Sequence, residues 1–407
     1  MLRIVIGAAA AIAIAAPAAA AAPEEPADAG RIRIEPILEV RLRYKNVDQG
    51  TLDADALTLR LRAGAEARLG RFSLLAEAEG TLAPIDDYNG FAFPVASDQR
   101  RPQFATVADP ENAELNRLQL QYRAGGDRIT LGRQRINLDD QRWVGSVGWR
   151  QNEQTFDAVR GEARVGPVAI DFTYAIGQRT IFGEDAEPRT AFDGDFVFAG
   201  LSSTLGPVEG KLFAYLLDYD EDFFLANSSQ TYGGILSGAI PLDGDRRLSL
   251  RASYARQSDR GGNPFDYAAD YWSLEAGTAI AGFRIVVGWE RLGSDNGRAV
   301  QTPMATLHKF NGWADLFLTT PPAGLDDAYV TVGRSFDGVR SLPGLNFNLA
   351  FHQFDSAVGD IEYGTEWDAS FGFRAGPISI LVKYADYDAH SFGVDTRKLW
   401  LQAEWAL

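Results

Sequence analysis

From Arg31 to Lys45 the chain alternates with a period of two: Arg31, Arg33, Glu35, Glu39, Arg41, Arg43 and Lys45 are charged, and Ile32, Ile34, Leu38, Val40, Leu42 and Tyr44 between them are apolar. On a strand this pattern makes one polar and one apolar face. It recurs as Leu57, Leu59, Leu61, Ala63, Ala65, Ala67 and Leu69 against Thr58, Arg60, Arg62, Glu66 and Arg68. Further runs set Phe72, Leu74, Ala76 and Ala78 against Ser73, Glu77 and Glu79, and Leu118, Leu120 and Tyr122 against Arg117, Gln119, Gln121 and Arg123. The last sets Leu399, Leu401, Ala403 and Trp405 against Lys398, Gln402 and Glu404. A soluble sandwich also alternates, so the connections must decide between architectures.

Those connections are of two kinds. Tight turns at Gly70, Gly125-Gly126, Gly166-Pro167, Gly206-Pro207, Ala281-Gly282 and Gly376-Pro377 alternate with long polar segments around 84–113, 138–152, 181–191, 218–229, 258–269 and 294–325. Short turns on one side and long loops on the other are the signature of an all-β, transmembrane antiparallel β-barrel with short periplasmic turns and long extracellular loops. About 18 strand centres can be placed along 31–407, and an open sheet edge in lipid would leave backbone groups unpaired, so the sheet must close. A barrel of that size leaves an aqueous lumen. Tyr44, Tyr254, Trp289 and Tyr384, with Trp272 and Trp367 nearby, then form an outer aromatic belt, and Phe72, Tyr122, Phe283, Phe373 and Trp405 an inner one. Asp98, Asp185 and Asn311 are expected on the outer surface.

The N-terminus reads differently. Arg3, an apolar run from Ile4 to Ala16 and small residues through Ala22 predict a signal peptide over 1–22, followed by a short flexible segment, 23–30. The absence of cysteine removes disulfides and thiolate sites, and a net charge of −16 is opposite to that of a nucleic-acid binder. Only His308, His352 and His390 could serve histidine chemistry, and no GxSxG, HExxH or phosphate-loop pattern accompanies them. No enzyme and no cofactor is expected.

The predicted inner wall is rich in arginine. Of the 39 basic residues 34 are Arg, whose planar forks match carboxylates. Candidate pore-lining, anion-binding residues are Arg41, Arg43, Arg60, Arg62, Arg68, Arg117, Arg123, Arg133 and Arg135. Parity changes at Gly132: either a β-bulge there turns both Arg133 and Arg135 inward, or the strand boundary is displaced by one residue. Glu39, Glu66, Glu77 and Glu79 share that interior as lumen carboxylates, so arginines paired in a structural charge ladder are the competing reading. Other acidic residues, among them Asp86, Asp98, Asp109, Glu184, Asp185, Asp220 and Asp388, fall in predicted extracellular loops, where weak divalent-cation binding beside lipopolysaccharide is conceivable.

Three segments also carry a family resemblance. Glu114 to Tyr122, Thr130 to Trp143 together with Val147 to Ala158, and Thr306 to Pro322 resemble the alginate export family of outer-membrane β-barrels. The resemblance implies a monomeric channel in the outer membrane of a Gram-negative bacterium, inserted by the barrel-assembly machinery among lipid and lipopolysaccharide, with an arginine-rich conduit for an anionic polysaccharide, oligosaccharide or sugar acid. A general or small-anion porin and a structural barrel remain the alternatives.

Overall fold

The structure is a computed structural model and describes residues 30–407 apart from 243, 245 and 337. The expected signal peptide lies outside the described residues. Among the described residues eighteen strands form one sheet: β1 (Arg33–Gln49), β2 (Leu52–Leu69), β3 (Phe72–Asp87), β4 (Asn112–Ala124), β5 (Asp127–Gln134), β6 (Thr155–Val165), β7 (Val168–Arg179), β8 (Ala191–Leu205), β9 (Val208–Tyr219), β10 (Ser229–Pro241), β11 (Arg247–Asp259), β12 (Ala268–Ile280), β13 (Phe283–Leu292), β14 (Leu325–Ser335), β15 (Asn346–Asp355), β16 (Glu362–Ala375), β17 (Ile378–Ala389) and β18 (Thr396–Ala406). Each pairs antiparallel with its chain neighbour. β1 closes on β18, from Glu39 opposite Ala406 to Gln49 opposite Thr396.

Alternation decides which way each residue points. On β18, Leu401 is 44% exposed to the outside while the adjacent Gln402 is 8% exposed and faces in. The outer belt includes Tyr254 opposite Trp272, rings 4.4 Å apart, and the inner belt Phe72 opposite Tyr122 at 5.0 Å. Gly70, Gly166, Gly206 and Gly376 carry the tight turns with φ of 57° to 61°, a left-handed backbone that residues with a Cβ adopt at a cost.

Two long loops depart from expectation. Segments 135–154 and 293–324 do not stand outside the barrel; they fold back into it, and the main apolar core sits in the lumen. There Trp143, Val144, Met304, Trp313 and Phe317 pack against inward side chains such as Phe213, Tyr271, Phe354 and Trp400. Burying these side chains against the wall is favoured by about 25 cal/mol per Å² of apolar surface, a gain not available to the same loops in water. The two loops also bond to each other: Gly145 N and Gln154 Nε2 both donate to Met304 O at 2.9 Å, and Thr306 Oγ1 donates to Gln141 Oε1 at 2.7 Å. Asn311 and Asp109, expected on the outer surface, are 6% and 1% exposed inside the barrel.

The expected bulge is also elsewhere. Register runs unbroken past Gly132 on both sides of β5, so Arg133 lies opposite the outward Leu118 and pairs with Asp157 on the next strand at 2.8 Å. It therefore leaves the set of inward arginines. The register shift falls between Glu77 and Ala78 on β3, opposite Asn116 of β4, and it turns Asn116 and Arg117 inward in succession.

Candidate functional site

Four adjacent strands, β17, β18, β1 and β2, present a cationic inner wall. Inward parity on these strands places Lys383, Lys398, Arg41, Arg43, Lys45, Arg60 and Arg62 side by side, all 6% exposed or less. Arg41, Arg43, Arg60 and Arg62, expected along an open wall, are instead roofed by the first inward loop. Arg41 Nη1 donates to Gly148 O at 3.2 Å, and Arg43 Nη2 to Trp149 O at 2.7 Å. Arg43 also lies over the Trp149 ring, its Cζ 4.1 Å from the ring centre.

Buried cations require partners, because a lone charge out of water is costly. Part of the compensation comes from the wall: Glu404 takes Arg41 at 2.9 Å and Arg60 at 3.1 Å, Glu39 takes Arg60 at 3.2 Å, and Glu79 takes Arg62. The rest comes from loops. Asp109 stands 3.6 Å from Arg43, Glu153 is 2.9 Å from Arg62, and Asp315 is 3.5 Å from Lys398. Burial pushes the Asp109 carboxyl up, but Arg43 and Arg150 outweigh it and hold the group below the usual carboxylate range.

The remaining sequence candidates fall in two further places. Arg117 and Arg135 both bind Glu77, at 2.5 and 3.0 Å, and Arg135 also binds Glu153, with Asn116 donating to both carboxylates. Arg135 reaches this cluster because β5 ends at Gln134 and the chain turns in. Arg68 and Arg123 sit at the periplasmic rim, where Arg68 binds Glu66 at 2.8 Å and Arg123 donates to Gln121 at 2.6 Å. Each of the four candidate carboxylates, Glu39, Glu66, Glu77 and Glu79, is therefore occupied by arginine.

Several central residues were not candidates. Asp315 in the second loop accepts from Arg150 Nη2 at 3.0 Å and from His308 Nδ1 at 2.6 Å. The other ring nitrogen, Nε2, is 2.7 Å from Lys383 Nζ, so the imidazole bridges a wall cation to a loop carboxylate. Trp149 stacks on His308 at 4.7 Å and 7°. Burial lowers the His308 pKa well below its ordinary value, so the ring is neutral at pH 7.

The adjoining stretch of wall is acidic. Glu290, Asp327, Glu366 and Asp368 on β13, β14 and β16 face in and are 5% exposed or less. They hold the second loop by its tip: Asn311 Nδ2 donates to Glu290 at 2.7 Å and Asp327 at 3.1 Å, Trp313 N to Asp368 at 3.2 Å, and Ala314 N to Glu366 at 2.7 Å. His352 pairs with Asp327 at 2.9 Å within this wall. Among the described residues no group of three or more His, Asp or Glu is arranged to hold a metal ion.

A closed barrel with lipid-facing aromatic belts, a charged interior and loops folded into its bore defines an outer-membrane channel. Solved structures share the fold: Pseudomonas aeruginosa OpdK with vanillate has a TM-score of 0.71 at 16% identity, covering 92% of this chain and 98% of that one. Acinetobacter baumannii OccAB4 has a TM-score of 0.72 at 13% identity, with 92% and 98% covered, and P. aeruginosa OpdO a TM-score of 0.67 at 16%, with 92% and 97% covered. At such identities the likeness is one of fold. The alginate export family matches residues 46–272, more than half of the chain, and the protein belongs to that family. No curated protein matches the sequence.

Proposed function

We propose that this channel passes an anionic saccharide or sugar acid, whose carboxylates exchange along the cationic wall of β17, β18, β1 and β2. The observation that supports this reading is the source of the wall's counter-charges. Asp109, Glu153 and Asp315 belong to loops and not to the barrel, so a substrate carboxylate can take their places at Arg43, Arg62 and Lys398 when the loops shift. The chain works as a monomer among lipid and lipopolysaccharide after removal of residues 1–22 and insertion by the barrel-assembly machinery. A second reading, passage of small carboxylates alone, is favoured by the packed loops, which narrow the bore, and by vanillate, itself a carboxylate, in OpdK.

Changing Arg41, Arg43, Arg60 and Arg62 together to Gln tests the conduit. In planar bilayers the reversal potential under a salt gradient is expected to move toward cation preference, and oligogalacturonate to block the current less. Unchanged selectivity and block would leave these arginines as a structural charge ladder. Block by galacturonate but not by its oligomers would favour the second reading.

A further inference from the structure

At the outer mouth three loops, 88–111, 180–190 and 220–228, meet over the ends of β8 and β9. Their aromatic rings pack on one another. Phe93 meets Phe182 edge-on at 4.8 Å, and Phe224 stacks at 4.0 Å and 10° on Phe192, whose strand partner Gln178 reaches the first inward loop through Gln154. Among these rings lies the guanidinium of Arg189, its Cζ 4.9 Å from the centre of Phe93, 5.1 Å from Phe223 and 5.6 Å from Phe224.

The backbone of Arg189 is pinned at both ends, with its N donating to Ala186 O at 2.7 Å and its O accepting from Thr180 Oγ1 at 2.7 Å. Its charge is not. Among the described residues the guanidinium makes no ion pair or hydrogen bond, whereas the half-buried or buried arginines of the lumen are held by carboxylates. Aromatic rings can cover the faces of a guanidinium but cannot use its N–H edge, and that edge is where a planar carboxylate docks with two parallel bonds. Phe223 beside it is 46% exposed, an apolar ring open to solvent.

We propose that Arg189, with Phe93, Phe223 and Phe224, is an outer docking site for a uronate residue, the first contact of the anionic saccharide with the channel; this rests on the reading under Proposed function. The uronate carboxylate takes the free edge of Arg189, and the C–H face of the sugar lies on Phe223. Acidic residues of the same loops do not occupy the site. Asp185 accepts from Gln99 at 2.9 Å and Glu221 from Asp193 N at 2.8 Å, and charges further off are screened over about 8 Å at physiological salt. Partial burial without a neighbouring carboxylate lowers the Arg189 pKa, but a guanidinium so lowered stays charged at pH 7.

The test uses the full chain and trigalacturonate, in calorimetry on the detergent-solubilised barrel and in oriented channels with the sugar added to one side at a time. Arg189→Gln is expected to weaken binding about tenfold, the scale of a lost charge-assisted bond, and to slow block from the outer side while leaving block from the periplasmic side unchanged. Phe223→Ala is expected to weaken trigalacturonate while sparing acetate. Arg189→Lys keeps the charge and checks assembly by the heat-dependent gel mobility of a folded barrel. Binding unchanged in Arg189→Gln, or block altered equally from both sides, would overturn the site and leave Arg189 as a brace between loops. Binding lost in Arg189→Gln without any block in the wild type would uphold the site and sink the conduit; no binding to the wild type would overturn the site.

Discussion

Removing the carboxylate of Asp315 should release the loops from the lumen without dismantling the barrel. Asp315 is the shared partner of Arg150, His308 and Lys398, at 3.0, 2.6 and 3.5 Å, and its side chain is 5% exposed. In Asp315→Ala two buried cations lose their counter-charge, which for one broken buried pair costs about 3–5 kcal/mol. The strand ladder is untouched, and swinging the loops outward rehydrates Arg150, so the cost falls on the docked arrangement. At about 1.4 kcal/mol per factor of ten, the released population rises by roughly two to three and a half orders of magnitude. Asp315→Asn keeps the shape and part of the bonding, and its effect should be smaller. Single-channel recording in planar bilayers reads this as higher mean conductance or frequent long openings in the alanine variant, with the asparagine variant between it and the wild type. Conductance and open-time distributions identical to wild type, in variants that run as folded barrels, would refute the idea that this carboxylate fastens the loops.

Two more outcomes follow from the same packing. Leu401→Arg puts a charge on the lipid face and should cost roughly 2–4 kcal/mol near the midplane, lowering assembly yield, whereas Gln402→Glu puts a charge inward where it can still accept from Arg43 and should spare assembly; equal yields on semi-native gels would show the assigned faces to be wrong. Acidification should loosen the loops: His308 is neutral when buried against Asp315, Lys383 and Arg150, and released it takes up a proton below about its ordinary 6.5, so docking loses stability as pH falls from 6.5 toward the lowered folded value. Current noise that rises below pH 6.5 in the wild type and less so in His308→Gln is the expected reading, and a flat pH profile counts against it.

The barrel was legible because lipid imposes its rule on every strand: a residue facing hydrocarbon must be apolar, and the next one need not be. Each of the eighteen strands falls on a centre read from alternation and turns. Parity was misread where two adjacent residues could both tolerate the interior. Asn116 and Arg117 take that freedom, while Gly132, the more conspicuous break, leaves register intact. The direction of the long loops was not legible, since a polar, aromatic segment such as 138–152 reads the same whether it meets water or a lumen. One sign was present in Trp400, an aromatic residue on the polar face of β18 between Lys398 and Gln402. An indole there needs a cover, and Trp149 provides it with ring centres 6.0 Å apart.

The bonds between the two inward loops carry a consequence for the order of assembly. Arg150 and Asp315, and likewise Gln141 and Thr306, are 165 residues apart in sequence. Contacts that close so long a stretch of chain form late, because their entropy must be met before they return any stabilisation. The hairpins between neighbouring strands, and the join of first strand to last, bring the distant segments within reach beforehand. A nascent barrel is therefore hollow before it is filled. During that interval the outer membrane holds a wider hole, and the speed at which the loops find each other sets how long the cell tolerates the leak.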